Sequence, residues 1–317
     1  MARYETVFMK KKYIKKLLII AFLAFIVMNI MAYQHAYWLT HYTENTQNVV
    51  NHTEMNMFQK ISVLFTGIKT AKPQLTAYPR EESETILLKS NETLEGWLVE
   101  KDSSKGIVIL FHGHLGTKSS LIEYSEAFGV LGYSTFMIDF MGSGNSEGYT
   151  TTIGFQESEN VETAFNYIKK RFPETEVVLF GHSLGAAAIM KAVADKRVFP
   201  DKVIVQSPFG TMLKTVKKRF EIFGIPSFPL AELLVFYGGW QNDFNAFDHN
   251  PTDYARQMNV PTLLLYGAKD DRVDRSETEE IHNHLSDPKK LHIFETVGHS
   301  GFLKNKKEWL ETVQSFL

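Results

Sequence analysis

Between Val177 and Ala194 a β-type run, Val177-Val178-Leu179-Phe180, passes through Gly181-His182-Ser183-Leu184-Gly185 into Ala186-Ala187-Ala188. No other stretch restricts the fold so tightly. A serine held on a sharp turn from strand to helix has a strained backbone, and the positions two before and two after it have almost no room for a side chain. Gly181 and Gly185 occupy those positions. The following helix brings free amides and a positive dipole end to Ser183, where they favour an oxyanion. The pattern predicts a nucleophile elbow with Ser183 as the nucleophile.

A serine hydroxyl is a weak nucleophile at neutral pH, so it needs a base and an acid that orients the base, and on such an elbow both come later in the chain, acid first. Leu263-Leu264-Leu265-Tyr266-Gly267-Ala268-Lys269-Asp270 places a carboxylate just past the end of a strand, where sheet-based sites converge. Asp270 is the expected acid. Asp271 and Asp274 are its rivals, while Asp243, Asp248 and Asp253 read as surface charges. Leu291 to Phe294 reads as the last strand, and the loop Glu295-Thr296-Val297-Gly298-His299-Ser300-Gly301-Phe302 then brings His299 back over the sheet as the base. Two amides are expected to hold the oxyanion: Leu184, directly after the nucleophile, and His114, in the loop Phe111-His112-Gly113-His114-Leu115-Gly116. The His112 and His114 rings read as structural.

From Glu84 onward, strand-like runs (Thr85–Lys89, Leu94–Glu100, Ile107–Phe111, Ser134–Ile138, Val177–Phe180, Val203–Gln206, Thr262–Tyr266, Leu291–Phe294) alternate with helical ones (Ser119–Val130, Phe155–Arg171, Leu184–Ala194, Glu277–Leu285, Lys304–Phe316). Such alternation predicts an α/β fold with a mostly parallel central sheet covered on both faces. The first two runs, joined by Ser90-Asn91-Glu92, read as an antiparallel edge hairpin. Residues 208–251 interrupt the rhythm with a long apolar stretch that includes Phe220, Phe223, Phe228, Phe236, Tyr237, Trp240 and Phe244. An insertion of that length reads as a lid over the site, with a helical pair completing the core as the plainer alternative.

The N-terminus adds a different signal. Lys10, Lys11, Lys12, Lys15 and Lys16 precede an uncharged run from Leu17 that is apolar apart from Asn29 and ends among Tyr33, Tyr37 and Trp38. Its length matches a bilayer span, and the lysines on one side place the N-terminus in the cytoplasm. A cleaved signal peptide is the rival reading, but the run is long for one and Ile30-Met31-Ala32 is a poor cleavage site. The expected organisation is a basic segment (1–16), a transmembrane anchor (17–39), a stalk or linker that packs partly onto the domain (40–83) and an extracytoplasmic catalytic domain (84–317).

Together these motifs resemble the α/β-hydrolase superfamily over residues 84–317, and Asp139-Phe140-Met141-Gly142-Ser143-Gly144-Asn145-Ser146 is similar to a D-x-x-G-x-G-x-S loop of that family. The resemblance implies hydrolysis of esters or related acyl compounds with no cofactor and a structural role for that loop along one wall of the site. A peptidase or thioesterase on the same triad is an alternative, as is a catalytically silent binding module. A net charge of -2 gives no footprint for nucleic acid, and the absence of cysteine excludes thiol catalysis, disulfides and thiolate metal sites. His282 and His284, two apart on a helix, do not share a face, so no metal pair is expected. The aromatic insertion suits a small or lipid-like ester with a hydrophobic acyl or alcohol part. Nothing in the sequence identifies a protein partner.

Overall fold

The computed structural model describes residues 2–44, 62–63, 65–222 and 224–317, with side chains from residue 13. Residues 45–61 and 64 of the expected stalk, and Phe223, lie outside the described residues. The eight-stranded sheet is built from β3 (Glu84–Lys89), β4 (Thr93–Val99), β5 (Ile107–Phe111), β6 (Ser134–Ile138), β7 (Val177–His182), β8 (Lys202–Gln206), β9 (Thr262–Gly267) and β10 (Lys289–Phe294). Its order is β10-β9-β8-β7-β5-β6-β4-β3. The two pairings of β4 are antiparallel and the other five are parallel, and β3 and β4 form the edge hairpin. The protein has the α/β-hydrolase fold.

β5, β6 and β9 are buried along their whole length, as central strands of a sheet covered on both faces are, and β5 is a continuous Ile/Val/Leu/Phe run. Alternate residues feed two cores. Ile109, Phe111 and Leu179 pack on one face, while Val108, Leu110, Val178 and Phe180 pack on the other with Trp309. The first face is covered by α3 (Glu157–Arg171) and α4 (Leu184–Ala194), the second by α2 (Ile122–Val130) and α9 (Lys306–Gln314). All of α4 is buried, which its small, uncharged residues around Ala186-Ala187-Ala188 allow. α8 (Arg275–His284) starts in a capping box formed by Asp274 and Glu277.

Residues 208–251 fold mainly into two helices, α5 (Met212–Ile222) and α6 (Leu230–Gln241), ahead of the short α7 (Pro251–Ala255). The N-terminal helix α1 (Ala2–Thr40) is continuous, so the expected basic segment and anchor are one element. By length and composition, Tyr13–Thr40, which holds an 18-residue stretch with a mean hydropathy of 2.2, can cross a membrane. Its C-terminal third is docked on α6. Tyr33 meets Tyr237 edge-on at 5.6 Å. The Tyr237 hydroxyl donates to Asn29 Oδ1 at 2.9 Å, and Gln241 Nε2 donates to the Tyr33 carbonyl at 2.9 Å. Beyond α1 the chain is tied down at once: Tyr42 N–H donates to Tyr149 O at 2.7 Å, and β1 (Tyr42–Thr43) pairs with β2 (Thr70–Ala71). The described residues next to the helix are thus joined directly to the domain.

Candidate active site

Ser183 stands between β7 and α4 with φ 53° and ψ −111°. A non-glycine residue in such a conformation stores about 1–3 kcal/mol of strain and persists only where its surroundings impose it. Ser183 N–H donates to Gln206 O at 2.8 Å, and its carbonyl accepts from Ala187 N–H at 3.0 Å. A Cβ on Gly181 would lie 2.5 Å from the Gly185 carbonyl carbon, and one on Gly185 would lie 2.4 Å from Phe111 O. Both glycines are therefore demanded by close backbone approach.

The loops after β9 and β10 are locked to each other. Ala268 N–H donates to Phe294 O and Lys269 N–H to Val297 O, each at 2.9 Å. A Cβ on Gly267 would lie 2.2 Å from Gly298 O, so only glycine lets the second loop cross the first. The crossing brings Asp270 to His299. His299 Nδ1–H donates to Asp270 Oδ2 at 2.8 Å, and Ser183 Oγ–H donates to His299 Nε2 at 3.0 Å. The other oxygen of Asp270 accepts the amides of Arg272 at 2.9 Å and Val273 at 3.1 Å. Burial is the largest single influence on Asp270 and acts to raise its pKa. The hydrogen bond and charge of His299, with the two amides, together outweigh burial and hold the carboxyl below its ordinary value.

The rival carboxylates lie elsewhere. Asp274 caps α8 and takes Lys218 Nζ at 2.6 Å. Asp271 lines the cleft away from the His299 hydrogen bond, and Asp243, Asp248 and Asp253 are exposed. His114 and Leu184 line the same cleft as Ser183 and His299, and among the described residues neither backbone N–H donates to a protein oxygen. Leu184, as the first residue of its helix, has no intrahelical acceptor in any case. Among the described residues no group of three or more potential metal ligands occurs.

The surrounding histidines are neutral. His112 Nδ1–H donates to Gly113 O at 2.8 Å, while its Nε2 accepts the Phe140 amide at 3.2 Å. Burial lowers its pKa. His182 is pushed down to about 3, first by burial and then by the charge of His299, whose ring lies 5.2 Å away. His114 is also pushed down to about 3, by burial and then by Arg219 and Arg272. Behind these rings, Asp139 takes both the Lys118 ammonium and the Lys118 amide, and Lys118 Nζ also lies 2.9 Å from Glu95. A Cβ on Gly144 would lie 2.1 Å from Asp139 Oδ2, which explains that glycine of the 139–146 loop.

The facing wall comes from the insertion: Thr215, Lys218, Arg219 and Ile222 of α5 border a cleft of about 440 Å³ over Ser183. A narrower apolar pocket adjoins it, between α5, α6 and Ala36, Leu39 and Thr40 of α1. The two share Ile153, Thr215 and Arg219. Sequence reasoning missed Lys118, His182, Arg219 and Arg272. The basic run Lys217-Lys218-Arg219 was a visible signal, but sequence does not tell which cations find a carboxylate.

A strained serine at a strand-to-helix turn, at the carboxyl edge of a mostly parallel sheet, is the arrangement of the α/β-hydrolase fold, and comparison with known proteins finds hydrolase-like relatives. The model for Serine aminopeptidase, S33, matches residues 102–234. The uncharacterized protein YqkD of Bacillus subtilis is 25% identical over 228 residues, spanning 71% of this chain and 75% of that one. Lysophosphatidylserine lipase ABHD12 of Bos taurus is 26% identical over 181 residues, 54% of this chain and 43% of that protein. Among solved structures, the Pyrococcus furiosus esterase PF2001 superposes with a TM-score of 0.65 at 22% identity, covering 77% of this chain and 96% of that one.

Proposed function

We propose that the protein is a membrane-anchored serine hydrolase of carboxylic esters with a hydrophobic acyl or alcohol part. The observation that carries this reading is the unbroken relay from Asp270 through His299 to Ser183, at 2.8 and 3.0 Å. Ser183 Oγ attacks the ester carbonyl while His299 Nε2 takes its proton, and Asp270 stabilises the imidazolium. The amides of Leu184 and His114 receive the oxyanion. His299 then protonates the departing alcohol, and a water molecule activated by the same ring releases the acyl group from Ser183.

Two further features support the substrate class and the anchor. The pocket beside the cleft is lined mainly by apolar side chains such as Leu39, Met212, Val216 and Leu234, and ABHD12, whose name states a lipid ester substrate, is among the relatives. On α1, Leu17, Leu18, Ile19, Ile20, Phe22 and Leu23 are all exposed, and each would cost about 1.5–3 kcal/mol left in water. A bilayer removes that cost. The lysines before Leu17 favour a cytoplasmic N-terminus and a catalytic domain on the other side.

The test is hydrolysis of p-nitrophenyl esters from acetyl to long acyl chains by the full chain in neutral detergent micelles. Ser183→Ala should lower turnover by on the order of 10⁴-fold or more while leaving the melting temperature close to the parent's. Ester turnover that survives in Ser183→Ala would overturn the mechanism.

A further inference from the structure

The cleft over Ser183 carries cations without matching anions. Lys218 is paired, with Asp274 at 2.6 Å and Glu221 at 3.7 Å. Arg219 and Arg272 are not. Among the described residues neither guanidinium makes a hydrogen bond or has a carboxylate oxygen within 4.0 Å. Arg171, Arg197 and Arg275, outside the cleft, each hold a carboxylate. The one carboxylate that lines the cleft, Asp271, pairs with neither arginine.

The two arginines feel each other. Crowding by protein atoms, and after it the like charge of Arg272, lower the pKa of Arg219. Both arginines also act on His114, whose Nε2 is buried in the same cleft with no hydrogen-bond partner. The His114 nitrogen is buried beside the nucleophile without a partner, which is costly for the empty protein, and the two exposed guanidiniums stand in the same cleft with no carboxylate to pair with. An anionic oxygen would satisfy all of them. Guanidinium groups match carboxylate and phosphate oxygens in shape and charge, and a neutral imidazole can donate from Nε2.

We propose that the substrate carries a negatively charged group, a phosphate or a carboxylate, that Arg219 and Arg272 bind while its ester carbonyl lies at Ser183. This rests on the ester-hydrolase reading and narrows it. Arg219 borders both the charged cleft and the apolar pocket, so an ester with a hydrocarbon chain in the pocket and its anionic group at the arginines would span the two. The same charges oppose a substrate held by a protonated amine, as an aminopeptidase would hold one, since Asp271 is the only cleft-lining carboxylate among the described residues.

The experiment compares two matched pairs in neutral detergent micelles, using the full chain: a 1-acylglycerol with its 3-phosphate, and an O-acyl lactate with the corresponding O-acyl 1,2-propanediol. The anionic member of at least one pair should have the higher kcat/KM, and the pair with the larger preference tells phosphate from carboxylate. Arg219→Gln with Arg272→Gln should lower the anionic-to-neutral ratio by on the order of 100-fold, and the corresponding Lys variants should recover part of it. Calorimetric binding of the acylglycerol phosphate to Ser183→Ala, with and without the two Gln substitutions, reads the anion site without turnover. If the double variant melts early, the exposed Arg272→Gln alone carries the comparison. Equal kcat/KM within both pairs, or a ratio that the substitutions leave unmoved, would overturn the anion site. Failure to hydrolyse any ester, with binding that still depends on the arginines, would overturn the ester reading and leave the anion site standing.

Discussion

The two walls of the cleft are made in different ways. On the sheet side, Ser183, Asp270 and His299 sit on backbone that glycine contacts and main-chain hydrogen bonds leave almost no freedom, and the charged groups behind them are paired, as Lys118 is with Asp139 and Glu95. On the insertion side, α5 and α6 offer apolar side chains, an unpaired Arg219 and a face that leans on α1. A wall that must hold atoms to within a few tenths of an ångström is overdetermined, while a wall that only selects what enters can be loosely specified.

That contrast makes unequal demands on mutations. The largest effect is expected on the sheet wall. Asp270→Asn removes the acceptor that fixes the His299 tautomer, and kcat should fall on the order of 10³- to 10⁴-fold for short and long esters alike. A loss confined to long chains would erase the distinction between the walls. On the insertion wall, Gly238 lines the apolar pocket, and a Cβ added there meets nothing within 4 Å. Gly238→Leu should therefore fold, gain helix propensity and fill the pocket. We expect kcat/KM for long acyl chains to drop about 10-fold or more with acetyl ester turnover retained, measured across the p-nitrophenyl series. An equal drop on acetyl esters would mean that the pocket is not where the chain goes.

The smallest effect concerns pH. His114 and His182 are held at about 3 and His249 at about 4, against an ordinary 6.5, in each case chiefly because burial disfavours the charged ring. The unfolded chain takes up these protons as the pH falls below 6.5, whereas the folded chain stays neutral at these rings until the lowered values are reached. Stability from these rings is thus fully present above 6.5 and declines as the pH drops towards 4. Urea unfolding at pH 7 and pH 5 should show a lower midpoint at pH 5, with a smaller difference in a His249→Asn variant that still folds. Equal midpoints for the parent protein would contradict neutral burial of all three rings.

The sheet wall was largely legible in the sequence because each of its features is local. Gly181 and Gly185 bracket Ser183 within one turn, Asp270 follows a strand by a fixed offset, and His299 lies in the loop after the last strand. The insertion wall was not. The bond from Tyr237 to Asn29 joins residues 208 apart, and no periodicity encodes it. Asn29, the one polar residue in an apolar run, was a hint that the helix had a partner. The bonds of Tyr42 to Tyr149 and of Thr40 to Thr151 are also made across the fold, so sequence does not tell where the stalk packs. Whether a given arginine is paired is likewise settled only in three dimensions.

With α1 in a bilayer, as proposed, its docking on α6 would join the bilayer to the fold by mass action. Lipid that favours the docked position of α1 over a state in which α6 has come away would then act as a stabilising ligand of the domain. The effect must run both ways, since Ala36, Leu39 and Thr40 also line the apolar pocket. Whatever fills that pocket changes how tightly the helix is held, and the lipid that holds the helix changes how readily the pocket fills.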